Sequence, residues 1–225
     1  MKLYKFRSFE NIEFTLDIIM NERLFCAHHK DLNDPFEGLF STIVWKGGGI
    51  VRPPIQPIIR PIIGNCRGNY PQTVHKSLDE LPSLDTNVRV CSLSSEMSDI
   101  RMWSHYAAGH TGCVIEVDLE ASPEICEVRY ARGLQTFTDK VTKDTKAIDV
   151  LSFKTDHWEY EKEHRIITGN DFYSVSGRIT GIFLGIRTKD IHKEIVVRST
   201  PKEIPIYETT IDQTSVEIRP NKRVN

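Results

Sequence analysis

The 225-residue chain lacks several features that mark common protein classes. Its five cysteines are widely scattered and include no C-x-x-C pair: Cys26, Cys66, Cys91, Cys113 and Cys126. Neither a disulfide framework nor a standard zinc knuckle is therefore predicted. No Gly-rich phosphate loop, nucleophile elbow or H-E-x-x-H motif occurs, which argues against the P-loop, serine-hydrolase and zincin classes. We expect reduced thiols and no metal.

Long apolar runs and an excess of one charge are also missing. No apolar run approaches the roughly 18 residues of a membrane-spanning helix, and the start, MKLYKFRSFE, lacks the character of a signal or transit peptide. With 29 basic and 31 acidic residues, the formal net charge is −2, which gives no general attraction to nucleic acid or to anionic membranes. We expect a cytoplasmic protein that binds no membrane, and any nucleic acid or protein partner would be held by a local patch. The oligomeric state stays open.

Hydrophobic residues make up 39% of the chain, enough for one ordinary core, so we expect a single domain over 1–225. The hydrophobic periodicity predicts an α+β fold in which a mainly antiparallel, twisted sheet has helices packed on it. Predicted strands cover 2–9, 24–27, 88–93, 113–117, 158–167, 179–186, 195–198, 204–208 and 216–219. Predicted helices cover 9–21, 98–108 and 138–153.

The stretch 92–117 combines a helix, a glycine stop and a strand. Ser98 is the predicted N-cap of the helix, and Gly109 is predicted to end it in a left-handed conformation. Four residues at helical spacing form its predicted buried stripe: Met102, Trp103, Tyr106 and Ala107. The β-branched run that follows, Cys113–Val117, predicts a central strand.

Charged residues are concentrated in the segment WEYEKEHRI at 158–166. As a strand, it would place Glu159, Glu161, Glu163 and Arg165 on one face. Three carboxylates on one face need solvent, a cleft, or Arg165 with a second base to neutralise them. A catalytic carboxylate and a surface ladder of ion pairs are equally compatible with this pattern.

Two other segments are candidate binding elements. The polar corner after the second strand carries Asn33, Asp34 and Glu37, which could shape a turn or line a site. A Gly/Pro-rich insertion at 45–82 is locally basic through Arg52, Arg60 and Arg67 and could touch phosphate, although a surface connector explains it as well.

Six sequence runs occur in an order that resembles an uncharacterised bacterial family, the domain of unknown function numbered 2971: LYKFRS, NDPFE, VCSLS, MWSHYAAGHTG, WEYEKEHRI and IFLG. The resemblance covers nearly the whole chain. His164 departs from it, because the family more often has tryptophan there, in a pattern such as YEKEWR. This departure suggests that the position supports packing more than chemistry.

At the level of architecture, the chain is also similar to ADP-ribosyltransferases, which open with strand, helix and strand and carry a catalytic glutamate on a late strand. That likeness implies an ADP-ribosyltransferase-like fold, with NAD as the substrate and a nucleic acid or protein as the acceptor. Arg7 would hold the diphosphate, Tyr106 would stack on nicotinamide, and Glu161 or Glu163 would stabilise the sugar cation. A toxic activity of this kind would suit a toxin or a phage-defence effector.

The hypothesis that follows is a site where Asn33–Glu37, His105–His110 and Glu161–Arg165 converge. The predicted catalytic residues are Glu161, Glu163 and His105. The predicted substrate-binding residues are Arg7, Asn33, Asp34, Glu37, Tyr106, His110 and Arg165.

Other function classes remain open at this point. The strongest rival is a non-catalytic binding module of a bacterial defence system, in which the aromatic residues belong to the core and the charged residues form surface ion pairs. A zinc site at Cys91, His105, His110 and Cys113 has no standard ligand spacing. A metal-dependent nuclease is less favoured because its only D-x-K candidate, Asp144–Lys146, falls in a predicted helix.

Overall fold

The computed structural model describes residues 1–46, 70–81, 87–137 and 146–225. Its strands are β1 (Lys2–Arg7), β2 (Arg23–Phe25), β3 (Ala27–His28), β4 (Leu39–Lys46), β5 (Tyr70–Ser77), β6 (Arg89–Ser94), β7 (Cys113–Asp118), β8 (Ile125–Glu127), β9 (Arg129–Ala131), β10 (Thr136–Phe137), β11 (Phe153–Thr155), β12 (Glu163–Thr168), β13 (Phe172–Ser174), β14 (Ile179–Leu184), β15 (Ile206–Asp212) and β16 (Glu217–Arg223). The α-helices are α1 (Ile12–Asn21), α2 (Ile100–Tyr106), α3 (Ala147–Leu151) and α4 (Asp190–Ser199). Single 3-10 turns cover His29–Asp31 and Leu78–Glu80, and a longer 3-10 helix covers Asp156–Glu161.

The main sheet has nine strands in the order β16-β15-β14-β7-β1-β6-β12-β8, with β3 paired to β6 beside β1. Its pairs are antiparallel except for β14 with β15. Smaller groups are formed by β10-β4-β5, by β11 with β9 and by β13 with β2. The predicted α+β architecture with a mainly antiparallel sheet is confirmed, and β7 is a central strand as predicted.

One face of the main sheet is apolar. Leu3, Ile115, Ile166 and Ile182 project from β1, β7, β12 and β14 into a core that Ile19 of α1 and Val196 of α4 complete. Each of these side chains is buried. We call this side of the sheet the apolar face.

The opposite face carries two smaller clusters with charge between them. Phe6 and Val114 pack on Trp103 of α2, while Val90 packs with Leu151 at the other end. Side chains alternate along a strand, so Glu163 and Arg165 of β12 share this face with Ile167, while Ile166 lies on the apolar face. We call this second side the charged face.

The predicted strand at 158–167 is wrong in its first half. Residues Asp156–Glu161 form a 3-10 helix, and Lys162 follows it in the left-handed region at φ 44°. The strand begins only at Glu163. Glu159 and Glu161 therefore do not share a strand face with Glu163, because the turn at Lys162 redirects the chain.

Other boundaries also differ from the prediction. The predicted strand at 195–198 lies inside α4, where Ile191 and Ile195 are spaced one helical turn apart. The predicted helix at 9–21 is confirmed as α1. The helix predicted at 98–108 is α2, but its N-cap is Asp99, whose carboxylate accepts a hydrogen bond from Arg101 N at 2.8 Å.

Part of the predicted insertion lies in the structure. Its ends fall on β4 and β5, which pair antiparallel from Leu39 opposite Ser77 to Lys46 opposite Tyr70. The predictions for 47–69, including the three arginines, lie outside the described residues, as do those for 82–86 and for the first part of the predicted helix at 138–153. The remainder of that helix includes α3.

Among the helices of the described ranges, none has the length and apolarity needed to cross a bilayer.

Candidate functional site

Five charged side chains form a buried network on the charged face: Glu37, Lys154, Glu161, Glu163 and Arg165. None is more than 5% exposed. They come from the polar loop before β4, from β11, from the 3-10 helix and from β12. Three carboxylates face two cations, so the network as a whole carries an excess negative charge.

Arg165 is the centre of this network. Its Nε and Nη2 donate to the two carboxylate oxygens of Glu163 at 2.8 and 3.0 Å. Nη2 also donates to Glu37 at 2.9 Å, and Nη1 donates to Glu37 and, at 2.7 Å, to the carbonyl of Leu151. All five N–H donors of the guanidinium are thereby used. Burial alone would lower the pKa of Arg165, but Glu163 and Glu37 outweigh it and raise that pKa.

Lys154 bridges Glu161 and Glu163, two of the three glutamates of the WEYEKEHRI segment. Its Nζ lies 2.6 Å from Glu161 Oε2 and 3.2 Å from Glu163 Oε2, and it sits 4.8 Å from the centroid of the Trp158 ring. The two carboxylates overcome the effect of burial and raise the pKa of Lys154. The parallel pairing of β11 with β9 positions this lysine, because Lys154 lies opposite Tyr130.

Glu163 is held on every side. Besides Arg165 and Lys154, Ser92 contributes a side-chain hydrogen bond to its carboxylate, and its backbone N donates to the Tyr130 hydroxyl at 2.8 Å. Burial would raise the pKa of Glu163, but the two cations overcome this effect and lower that pKa to about 2. A carboxylate so firmly ionised and enclosed serves to neutralise and position the buried cations.

Glu161 is connected to the surface. Its Oε1 accepts a hydrogen bond from the Tyr106 hydroxyl, and Asn33 Nδ2, on an exposed residue, lies 3.4 Å from the same hydroxyl oxygen. Burial, followed by the adjacent Glu161, raises the pKa of Tyr106, so the phenol remains a donor. Ser94 fixes the backbone by donating to the Glu161 carbonyl at 2.6 Å. Glu161 is thus the carboxylate of the network that a ligand could approach through Tyr106.

Aromatic side chains surround this approach. His105 is exposed, and its ring centroid lies 6.2 Å from that of Tyr160 and 6.3 Å from that of Tyr106. Tyr160 in turn lies 6.3 Å from Trp158, and the Arg101 guanidinium stands 4.3 Å from the centroid of the Tyr160 ring. We call His105, Tyr106, Trp158 and Tyr160 the aromatic surface.

The three predicted segments therefore meet: Asn33 contacts Tyr106, Tyr106 contacts Glu161, and Glu37 contacts Arg165. Asp34 is buried, and its Oδ1 accepts a hydrogen bond from Phe36 N at 2.9 Å, which shapes the turn that presents Glu37.

Arg7 does not join the site. It alternates along β1 with Phe6, so it lies on the same face as Leu3, the apolar face. Its guanidinium stands 5.6 Å from the Phe14 ring centroid, and burial lowers its pKa. The predicted role of Arg7 beside Glu161 or Glu163 fails because these side chains lie on opposite sides of the sheet.

His110 also lies apart. Its ring stacks on Trp103 with centroids 6.3 Å apart and planes 3° from parallel, and Nε2 lies 3.3 Å from Ser104 Oγ. Burial lowers the pKa of this imidazole. Its side chain packs in the core beneath α2, and among the described residues it contacts no member of the buried network.

Sequence reasoning missed Lys154, Tyr130 and Tyr160. A signal for Lys154 existed, since three carboxylates on one face of the predicted strand, with only Arg165 on that face, require a second base. It could not be assigned, because Lys154 falls at the edge of a segment predicted to be helical.

Across the described ranges, no three His, Cys, Asp or Glu side chains are arranged to hold a metal ion. Of the four residues weighed as zinc ligands, Cys91 is buried in the apolar-face core, whereas His105 is exposed on α2. The described cysteines are free thiols.

No family model, curated protein or solved structure matches the chain. The likenesses to family 2971 and to ADP-ribosyltransferases therefore stay predictions, and function has to be argued from the site itself.

Proposed function

We propose that this chain is an ADP-ribosyltransferase-like enzyme of the uncharacterised family 2971, which transfers ADP-ribose from NAD to a nucleic acid or protein. The observation that carries the proposal is the position of Glu161. Its carboxylate lies at the inner end of the Asn33–Tyr106 hydrogen-bond chain and borders the aromatic surface.

The reaction requires a carboxylate beside the sugar and a surface that holds the leaving ring. The bond between the ribose C1′ and nicotinamide breaks, its electron pair leaves with nicotinamide, and an acceptor nucleophile bonds to C1′ and loses a proton. A carboxylate stabilises the positive charge that develops on the sugar. A ribose hydroxyl can replace the Tyr106 hydroxyl on Glu161 Oε1, while the aromatic surface holds the leaving ring.

The diphosphate needs a cation on the charged face. Arg7 does not fit, because it lies on the apolar face. Arg101 fits better, since its half-exposed guanidinium stands over Tyr160, although it is engaged by Asp99 at 2.5 Å. NAD binding would exchange that ion pair for a phosphate contact of similar geometry.

Glu161 is the reacting carboxylate in this proposal, and Glu163 is a positioning residue that holds Lys154 and Arg165. His105 is placed to contact the substrate, since it is exposed beside Tyr106 and Tyr160. A transferase of this type would be toxic in a cell and would suit a toxin or a phage-defence effector.

One observation favours a second candidate, a non-catalytic binding module. Both oxygens of Glu161 already have partners, Tyr106 and Lys154. A network whose charges all have internal partners needs no ligand, and its role is then to fix the loop Asn33–Glu37 against the sheet. In that case the aromatic surface is the binding element.

The deciding experiment incubates the protein with adenylate-labelled NAD plus a mixture of nucleic acid and lysate protein. We expect label transfer and nicotinamide release, both reduced at least about 100-fold by Glu161→Gln. Glu159→Gln is the matched control: Glu159 lies on the same 3-10 helix but its side chain is 61% exposed, so activity should be unchanged. Circular dichroism melts would establish that each variant is folded. Folded wild-type protein that neither binds NAD nor releases nicotinamide would leave the binding module as the better explanation.

A further inference from the structure

Two buried cysteines lie side by side on the apolar face. β3 pairs antiparallel with β6, with Ala27 opposite Val90. Continuing this register by one residue places Cys26 opposite Cys91, and both side chains belong to the core of the apolar face. The α-carbons of directly opposed residues in an antiparallel pair are about 4.5–5.5 Å apart, within the range of about 4.4–6.8 Å that a disulfide spans. The backbone therefore holds these two cysteines at a separation that a disulfide can bridge.

The two thiols also contact each other. A hydrogen bond joins their sulfur atoms, and it raises the pKa of Cys26 while it lowers the pKa of Cys91. When the pair loses one proton, the negative charge therefore settles on Cys91, and Cys26 keeps its S–H as the donor. The pair is thus divided into a thiolate and a thiol.

Two cations of β1 lie near Cys91, although this face of the sheet is mostly aliphatic. Lys5 Nζ lies 3.5 Å from Cys91 Sγ and donates to the Ser92 carbonyl at 2.9 Å. After the hydrogen bond from Cys26, the charges of Lys5 and then Arg7 lower the pKa of Cys91 further, against the effect of burial. Positive charge beside a thiolate is typical of reactive cysteines. Cys91 is therefore the nucleophilic member of the pair.

The other described cysteines are placed less well to bond with Cys91. Cys113 belongs to the same core, but it lies opposite Arg7 on β7, two strands away from β6. Neighbouring strands are about 4.8 Å apart, so a disulfide cannot bridge this separation of about 10 Å. Cys126 lies opposite Arg165 and shares the charged face with it. Among the described cysteines, Cys26 is thus the partner that Cys91 can reach.

We propose that Cys26 and Cys91 form a reversible redox switch, in which a hydroperoxide converts the two free thiols into a disulfide that ties β3 to β6. The Cys91 thiolate attacks one oxygen of hydrogen peroxide, the O–O bond breaks, and hydroxide leaves, so that Cys91 becomes a sulfenic acid. The Cys26 sulfur then attacks the Cys91 sulfur, the S–O bond breaks, and the hydroxyl group leaves with the Cys26 proton as water. The two thiols lose two electrons and two protons, and the peroxide gains them to become two water molecules. A thiol reductant reverses the change.

The position of the pair explains both access and effect. β3 has only two residues, so it can open from β6 by breaking few hydrogen bonds and admit a small peroxide to thiols that are at most 1% exposed. The polar loop that presents Glu37 follows β3, and Ser94 of β6 holds the Glu161 backbone. A disulfide would suppress opening next to these two segments of the candidate site. The inference stands whether or not the protein acts on NAD.

Disulfide mapping of the wild-type protein tests the switch without any substitution. Reduced protein is treated with hydrogen peroxide, its remaining thiols are blocked with N-ethylmaleimide, and its peptides are identified by mass spectrometry before and after treatment with dithiothreitol. We expect a pair of peptides joined through Cys26 and Cys91 that separates on reduction. The oxidised protein should also unfold at a higher urea concentration than the reduced protein. Protein oxidised while unfolded in urea should give mixed pairs, because the fold no longer selects the partner.

Single substitutions identify the attacking thiol. In Cys26→Ser, peroxide should leave a Cys91 sulfenic acid that dimedone labels, whereas Cys26 should stay unlabelled in Cys91→Ser. Cys66→Ser and Cys126→Ser are the controls, and both should form the same disulfide as the wild type. Folded wild-type protein in which Cys26 and Cys91 stay reduced under peroxide, or in which either is joined to Cys66 or Cys113, would overturn the proposal. Dimedone labelling of Cys26 in place of Cys91 would overturn the assigned direction of attack.

Discussion

The two faces of the main sheet are buried in different ways. The apolar face is filled by aliphatic side chains under α1 and α4, and each of them can be buried without a specific partner. The charged face buries the five side chains of the network, and each has a partner of opposite charge at hydrogen-bond distance. Aliphatic contacts on the first face have no fixed direction, whereas the second face requires the loop that carries Glu37 to meet the consecutive elements β11, the 3-10 helix and β12 in one geometry.

This difference shows where to look for function. A buried ion network is often no more stabilising than apolar side chains of similar volume. Stability alone therefore does not explain why the charged face carries one, and we place the proposed chemistry there. The same contrast yields predictions about which substitutions the protein tolerates.

The largest expected effect comes from Arg165→Leu. The change removes all five donors at the centre of the network and leaves Glu37 and Glu163 buried without their shared cation. We expect the free energy of unfolding to fall by about 3–5 kcal/mol, measured by urea denaturation.

Two controls place that loss in context. Ile115→Val on the apolar face removes one buried methylene and should cost about 1 kcal/mol. Arg178→Leu removes an exposed arginine paired with Glu120 at 2.6 Å and should cost less than about 1 kcal/mol. If Arg165→Leu costs no more than these controls, the two faces do not differ in the way described.

Low pH should reduce the stability contributed by the charged face but not that contributed by the apolar face. Glu163 has its pKa lowered to about 2, so its contribution to stability is fully present above the ordinary pKa of 4.5 and is lost as the pH falls through about 2. The loss amounts to at most about 3–4 kcal/mol, at about 1.4 kcal/mol per pKa unit. Burial raises the pKa of Glu37 with Arg165 opposing, so Glu37 acts in the opposite sense and reduces the net effect.

Urea titrations at several pH values between 5 and 2 measure this dependence. The wild-type protein should lose more stability over the range than Glu163→Gln, which lacks the titrating group. Ile115→Val should follow the wild-type curve at a constant offset. Parallel curves for wild type and Glu163→Gln would show that the network does not lower the pKa of Glu163.

Sequence patterns predicted the parts of the fold that depend on local periodicity. The helix α1, the strand β7 and the buried stripe of α2 all follow from apolar spacing, because burial against a neighbouring layer enforces that spacing. The strand predicted at 158–162 failed because Lys162 adopts a left-handed conformation that its residue type does not signal. Contacts with a distant segment hold that turn, since Ser95 N donates to the Lys162 carbonyl at 3.0 Å.

The candidate site was predictable only where local sequence patterns identify its residues. Polar loops next to buried aromatics identified Asn33, Glu37, Tyr106 and Arg165. Alternation along β1 grouped Arg7 with Leu3, but nothing local indicated which face of the sheet would carry the charges. Lys154 was missed because only the pairing of β11 with β9 brings it between Glu161 and Glu163.

The smallest predicted effect concerns the start of α2, which covers the charged face but begins through a purely local contact. The structure assigns the N-cap to Asp99, whereas the sequence favoured Ser98. Asp99→Ala should lower the free energy of unfolding by about 1 kcal/mol, because the Arg101 N–H loses its acceptor.

Ser98→Ala should have almost no effect, because Ser98 contributes through its backbone: its N donates to Glu96 Oε1 at 2.7 Å and its carbonyl accepts from Ile218 N at 2.9 Å. Asp99→Asn separates the cap from the charge, since the amide oxygen can still cap the helix while the ion pair with Arg101 is lost. Urea denaturation of the three variants measures all of these values. A larger loss for Ser98→Ala than for Asp99→Ala would return the cap to Ser98. An Asp99→Asn variant as unstable as Asp99→Ala would mean that the exposed ion pair, and not the cap, holds the first turn of α2.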